Sequence, residues 1–402
     1  MFRHANPVKA ALPALAMLWA ACDLSVTNPG PLPDSELNTP EAMPGLVVGM
    51  SADLSVALGD QVYFSALLAD EMAHSGNYNN ERYFYQGEPG PEHTNGVWAN
   101  MQRARWVAES GIERMRDVLG DEFETSELVA RAYALAGFAN RLAGENVCEA
   151  VIDGGARQPH TVHFERALEQ FTEAIERAEA LGDAALATAA RGGRASVRAW
   201  LGDWDGAVQD AAQVPADFRY DAIYSGNTTR ENNYIVYETH TRREITVYGT
   251  PWAEVFGDPR VPWDTVWTSG GDVQTGQDGE TPFFRQRKYT APGDDIALVK
   301  GTEMLLLRAE AALRGGDVGT AMSLINDARA EYGLPPLTAA NEAEAWAILQ
   351  RERGADLWLE ARRIWDLRRW YAEGRIGKWK STENQVMCVP VSQNEEMSNP
   401  NV

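Results

Sequence analysis

Small apolar residues recur at helical spacing in two stretches of the chain that break at the same point. Residues 193–212 read GRASVRAWLGDWDGAVQDAA, and residues 308–327 read RAEAALRGGDVGTAMSLIND. With Gly202 laid on Gly316, Gly-Asp falls on Gly-Asp, Ala207 on Ala321 and Ala195 on Ala309. Ala195, Ala199 and Trp200 share one helical face; Ala207, Val208 and Ala211 share another. Each copy predicts a helix, a tight turn and an antiparallel helix. Small residues let the two helices approach, and the glycine ends the first by taking a backbone conformation that other residues resist.

The pattern resembles a tetratricopeptide repeat, whose unit is about 34 residues. Helices over residues 164–183 and 127–148 extend the stack, since such units bury their faces only against neighbours. The spacing from Gly202 to Gly316 is no multiple of that unit, so something interrupts the array. The interruption is residues 214–299, up to Lys300. It is rich in Gly, Pro, Asp, Thr and aromatic residues, with strand-like alternation in NYIVYE and EITVYG and turn signals elsewhere. A second such region covers residues 73–100. Long loops on a stiff frame are where binding usually resides. The expected architecture is mainly α: a TPR-like helical-hairpin scaffold over about 127–213 and 300–372, a long loop-rich insertion and few short strands, with 39–402 as one domain.

Composition agrees with a folded chain, at 44% hydrophobic with 13 Trp and 13 Tyr. The formal net charge is −22, which repels phosphate backbones and makes nucleic acid a poor partner. Only five of the 36 basic residues are Lys.

The first residues, MFRHANPVKAALPALAMLWAAC, place an apolar run over 10–21 after a weakly basic start. That run is too short to span a bilayer and reads as an export signal over 1–21; no other segment is read as long and apolar enough to cross. Cys22 follows small residues and precedes a Pro-, Ser- and Asn-rich stretch expected to act as an extended tether over 22–38. The arrangement resembles a bacterial lipoprotein signal in which Cys22 carries the lipid, although Trp19 departs from the usual pattern. The anchored chain then touches the membrane through lipid alone, and Asp23 leaves the leaflet open. Cys148 and Cys388 remain, and in a chain this large they are read as two separate buried thiols rather than a disulfide.

The last third carries EMLLLRAEAALRGGDVGTAMSLINDARAEYGLPPL, LQRERGADLWLEARRIWDLRRW and VPVSQNEEMSNPNV. With the candidate lipid cysteine and the interrupted repeat, these resemble the SusD/RagB family of outer-membrane nutrient-binding lipoproteins. The resemblance covers nearly all of 303–402 and implies a lipid-anchored protein at the exterior of the outer membrane. It would capture a glycan, or in some relatives an oligopeptide, and deliver it to a SusC-like TonB-dependent transporter. A glycan site needs aromatic platforms flanked by amides and carboxylates. The candidates are Tyr78, Asn79, Asn80, Tyr83 and Trp98 in the first loop region, and Trp252, Trp263 and Trp267 in the insert.

No catalytic motif is found: no Gly-x-Ser-x-Gly, no His-Glu-x-x-His and no phosphate-cradling glycine loop. Glu352, Glu360 and Asp366 read as scaffold, with Arg362 and Arg363 expected to reach Asp366 along a helix, and Asp366 to reach Arg369. His160 and His163 could meet on a helical turn, but no metal is expected there. No cofactor is expected beyond the lipid on Cys22, and the acids around 271–280 and 293–295 leave a structural calcium open. A protein-docking repeat scaffold and an unrecognised glycosidase are the competing functions.

Overall fold

The structure, a computed structural model, describes residues 34–402. The export signal, Cys22 and most of the tether lie outside the described residues. Of the residues assigned to the tether, Asp34–Leu37 forms a 3-10 turn, and Asp34 accepts a hydrogen bond from Arg114 at 2.6 Å.

The fold is mainly helical. Three long helices begin it, α1 (Met43–Leu68), α3 (Asn95–Leu119) and α4 (Glu127–Asn146), with the short α2 (Asn79–Gln86) between the first two. Hairpins follow, made by α5 (Thr161–Leu181), α6 (Ala184–Trp200) and α7 (Trp204–Ala211), and after the insert by α9 (Gly301–Arg314) and α10 (Val318–Ala330). Then come α11 (Glu342–Asp356), α12 (Arg363–Ala372) and α13 (Gln393–Ser398). Contrary to the sequence reading, α1 is itself long and apolar enough to cross a membrane, with a mean hydropathy of 1.4. Half of that stretch is buried in the fold, because α1 is the core helix on which α3 and α4 pack.

The two Gly-Asp turns match their prediction. Gly202 and Gly316 have φ of 89° and 77°, the left-handed region that ends a helix. Asp203 and Asp317 then cap the next helix, accepting from the amides of Gly206 and Thr320 at 2.9 Å. Ala195, Ala207, Ala309 and Ala321 are all fully buried. A third copy went unread in the sequence: Gly182 has φ of 76°, and Asp183 caps α6 through the amide of Leu186. The helices approach closely at α6, where a Cβ on Gly193 would stand 2.3 Å from the Phe171 ring.

Eight short strands form four antiparallel pairs among the described residues. β4 (Arg219–Ala222) pairs with β8 (Ile296–Lys300), so the insert leaves and returns through one seam. The five residues of β8 are buried, with Val299 under Gly192 and the Leu298 carbonyl accepting from Arg141. The ends of the predicted insert therefore belong to the frame, and the excursion is residues 223–295. Within it NYIVYE is not a strand. Tyr234–Val236 is a helical turn, α8, that runs into a π-turn over Tyr237–Thr241. Two aromatics around a short apolar pair fit either period, and the buried faces of Ile235 and Val236 select the turn.

Two further expectations fail. The Arg362 and Arg363 side chains do not bind the Asp366 carboxylate: both stand at the very start of α12, after a non-helical connection from α11, and turn to other partners. Leu359 and Ala361 are left-handed at φ of 56° and 58°. Arg362 instead bridges Glu145 at 2.9 Å and Glu303 at 2.7 Å, and Arg363 holds Asp70 at 2.7 Å. Asp366 does meet Arg369, as expected, and also Arg353, both at 2.7 Å. Cys148 and Cys388 are not separate thiols; they form a disulfide, with the Val389 segment bridged to Val147 beside it.

Candidate functional site

Three segments distant in sequence meet at Ser75. β1 (Ala73–His74) pairs with β5 (Ile245–Thr246), joining the first loop region to the insert. The Ser75 amide donates to the Glu244 carbonyl at 2.9 Å, and the Asp278 amide donates to the Ser75 carbonyl at 3.0 Å. Side chains would not fit the crossing: a Cβ on Gly276 would lie 2.2 Å from the Ser75 carbonyl oxygen. The junction thus fixes loop and insert as one surface.

The π-turn and the β1–β5 pair set up the first cluster. Arg242 lies 4.3 Å from the Tyr78 ring centroid and 5.7 Å from that of Tyr237, both rings more than 40% exposed. Behind this cation sit Glu238 at 3.3 Å and Glu244 at 3.8 Å. Burial, with the neighbouring charges of Glu244, Glu81 and Asp60, pushes the Glu238 carboxyl up to about 7, and burial raises Glu244 as well.

The second cluster stands on the adjacent strands. β6 (Trp263–Thr265) pairs with β7 (Phe284–Gln286), and the Val247 amide donates to the Phe284 carbonyl at 2.9 Å, joining this pair to β5. Trp263 and Phe284 stack at 4.9 Å with their planes 4° apart. Phe256 and Tyr248 meet them edge-on at 5.3 and 5.2 Å. Phe256 is 78% exposed and Trp267 61%, while Asp264 and Arg285 pair beside the stack at 2.9 Å. The result is an exposed aromatic face with polar groups at its edge, able to stack flat apolar surfaces and hydrogen-bond their rims. Beside it a cleft of about 680 Å³ opens between Tyr85, Pro251 and Lys380. Burial lowers Lys380 to about 8, against the pull of Asp70.

Of the residues expected from sequence, the structure places Tyr78, Asn79 and Asn80 at the exposed first cluster, and Trp263 and Trp267 at the second. Trp98 and Trp252 are not surface platforms. They are 2% and 3% exposed, Trp98 on the inner face of α3 and Trp252 against Gly354 and Arg363. Tyr83 has one face taken by His93, at 4.1 Å. Tyr237, Arg242, Tyr248, Phe256 and Phe284 were missed; only their position in an aromatic-rich insert could have pointed to them.

The acids read as scaffold are held in buried pairs. Glu352 binds Arg260 and Arg329, both at 2.7 Å. Burial would raise Glu360, but Lys288 and Lys300 outweigh it and hold the carboxyl down to about 2. His160 and His163 do not meet: their Nδ1 atoms bond to the Gly144 carbonyl and to Asn140. Among the described residues no group of three or more His, Cys, Asp or Glu converges. Asp278 and Asp294 are occupied accepting backbone amides of their own loops.

Residues 295–401 match the SusD family model. The chain matches no curated protein by sequence. Its fold is similar to that of a SusD superfamily protein from Bacteroides vulgatus, with 14% identity and a TM-score of 0.67, covering 90% of this chain and 97% of the other. A SusD-like carbohydrate binding protein from the same organism gives 15% identity and a TM-score of 0.64, covering 90% and 97%. Surface glycan-binding protein A from Bacteroides thetaiotaomicron gives 14% and 0.67, covering 91% and 98%. The last quarter of the chain thus matches the SusD family model, and over nine-tenths of its length the fold is similar to that of SusD superfamily proteins.

Proposed function

We propose that the chain is a cell-surface, outer-membrane lipoprotein, anchored through Cys22, that captures oligosaccharides and delivers them to a SusC-like TonB-dependent transporter. The observation that carries the reading is the half-buried Trp263–Phe284 stack beside Asp264 and Arg285, with the exposed rings of Phe256 and Trp267 on the same face. A pyranose offers a flat C–H face and hydroxylated edges, which such a surface fits. Similar proteins described as carbohydrate- or glycan-binding support the ligand class. The reading involves no catalytic step. An array of glycans and oligopeptides tests it. Glycan binding that falls on Trp263→Ala is expected, whereas binding confined to peptides would replace the ligand class. Capture from membranes should recover a large β-barrel; recovery of other proteins alone would favour a docking scaffold.

A further inference from the structure

A second tryptophan-lined cleft, of about 460 Å³, lies at the far end of the hairpin frame. The insert leaves beyond the C-terminus of α7 and returns before the N-terminus of α9. The cleft is at the opposite ends, with Trp204 opening α7 and Arg314 closing α9. At 1.5 Å per residue α9 alone spans about 20 Å, so this cleft is separate from the aromatic face.

Three indoles form its walls. Trp200 meets Trp365 edge-on at 6.1 Å and Trp204 at 6.5 Å. Each carries a guanidinium: Arg369 is 4.6 Å from Trp200, Arg314 is 4.3 Å from Trp204, and Arg368 is 5.1 Å from Trp365. Two of these cations are neutralised. Arg314 binds Glu310 at 2.8 Å and Glu373 at 2.7 Å, and Arg369 binds Glu310 and Asp366. Arg368 has no carboxylate partner among the described residues. Its Nη1 donates to the carbonyls of Glu145 and Val147 at 3.2 Å each, and its Nε and Nη2 find no acceptor there. Burial accordingly pulls Arg368 down to about 10. Neighbouring His160, held down to about 4 by burial and by Arg368 itself, stays neutral and adds no second positive charge. Arg368 is half-buried, and a guanidinium with no carboxylate partner stands out in a chain of net charge −22.

We propose that this cleft is a second binding site, for a sugar that bears a carboxylate, such as a uronic acid residue of a glycan. Indole faces suit the C–H side of the ring, and the free edge of Arg368 suits a planar carboxylate through two parallel bonds. The ligand class rests on the chain being a glycan binder; the location does not.

The test is calorimetric titration of the full chain with a galacturonate oligomer, its methyl ester and a neutral oligosaccharide of equal length. The acid form is expected to bind and the ester not. Arg368→Gln should weaken the acid form roughly tenfold or more, since a hydrogen bond to a charged group is worth about 1.5–3 kcal/mol. Arg368 also supports two carbonyls, so Trp204→Ala, which keeps those contacts, is the second variant and should weaken the acid form too; melting curves accompany both. Trp263→Ala should leave this binding intact. The proposal is overturned if the acid form binds no better than the ester, if its binding falls with Trp263→Ala and survives Arg368→Gln, or if sulfate competes as well as galacturonate. Failure of the unaltered chain to bind the neutral oligosaccharide, with the acid form still bound, would sink the insert reading and leave this site standing.

Discussion

Arg242 lies 4.3 Å from the ring centroid of Tyr78, so a cation of the insert rests on an aromatic of the first loop region. An exposed contact of this kind is worth about 0.5–1 kcal/mol. Arg242→Ala should free the Tyr78 ring and weaken glycan binding by roughly three- to fivefold. Melting temperature should fall as well, because Arg242 is also the cation facing the buried Glu238 and Glu244 carboxylates, while the β1–β5 pairing and the Ser75 crossing keep the loops in place. Isothermal titration and a melting curve on the same sample check both halves.

Tryptophan substitutions should divide by exposure. Trp267→Ala and Trp263→Ala remove a surface ring, and aromatic contacts of about 0.5–1.5 kcal/mol predict binding reduced by roughly two- to tenfold. Trp98→Ala and Trp252→Ala open cavities in the core and should cost about 3–5 kcal/mol of stability. Chemical denaturation separates the pairs; unchanged affinity at both Trp263 and Trp267 would mean the aromatic face is not the platform.

Stability should fall as pH rises from about 6.5 to 8, above the range in which His160 and His163, both lowered by burial, give the opposite slope. Glu238 is raised to about 7 and Glu71 to about 8, each first by burial, against an unfolded value of about 4.3. Groups raised in the folded state stabilise fully below the unfolded value, and that stability is lost as pH climbs through the folded one. Lys380, lowered by burial, acts in the opposite sense above about 8. Glu71→Gln keeps an acceptor for the Leu359 amide and should flatten the slope of melting temperature against pH. A slope equal to wild type would rule out Glu71 as a contributor.

Glycine substitutions in helices should have opposite signs. Alanine gains about 1 kcal/mol over glycine in helix propensity. At Gly49 nothing lies within 4 Å of the new Cβ, so Gly49→Ala should be stabilising. At Gly193 the Cβ would press on Phe171, and overpacking costs of about 1–3 kcal/mol should make Gly193→Ala neutral to destabilising. Urea unfolding midpoints of the two variants give the comparison.

Reduction should loosen the C-terminal segment. The Cys148–Cys388 bond spans a sequence separation of 240, and long closed loops gain about 2–4 kcal/mol from such a cross-link. A lower melting temperature in dithiothreitol, absent in a Cys148→Ser, Cys388→Ser double variant, is the expected result.

The frame was legible because its signals are local. Gly202-Asp203 and Gly316-Asp317 each write a helix end and the next helix start into adjacent residues, and Gly182-Asp183 could have been read the same way. The partners of Arg362 and Arg363 were not legible, since the break at Leu359 and Ala361 is stabilised by remote groups such as Glu71 and Asn146. The disulfide has the same character, being set by where two distant segments pack. The candidate site was half legible. Aromatic enrichment marked the right segment, but whether a ring faces water or the core depends on tertiary packing, which separates Trp267 from Trp252.

The β4–β8 seam makes one demand on whatever lies between its strands: the two ends must arrive side by side. Chain of many lengths and shapes meets that condition, while the buried helices underneath stay as they are. An exchange of residues 223–295 as a cassette must rebuild more than the contact at Ser75, since Arg260 on Glu352, Lys288 on Glu360 and the buried Trp252 also tie the excursion to the frame.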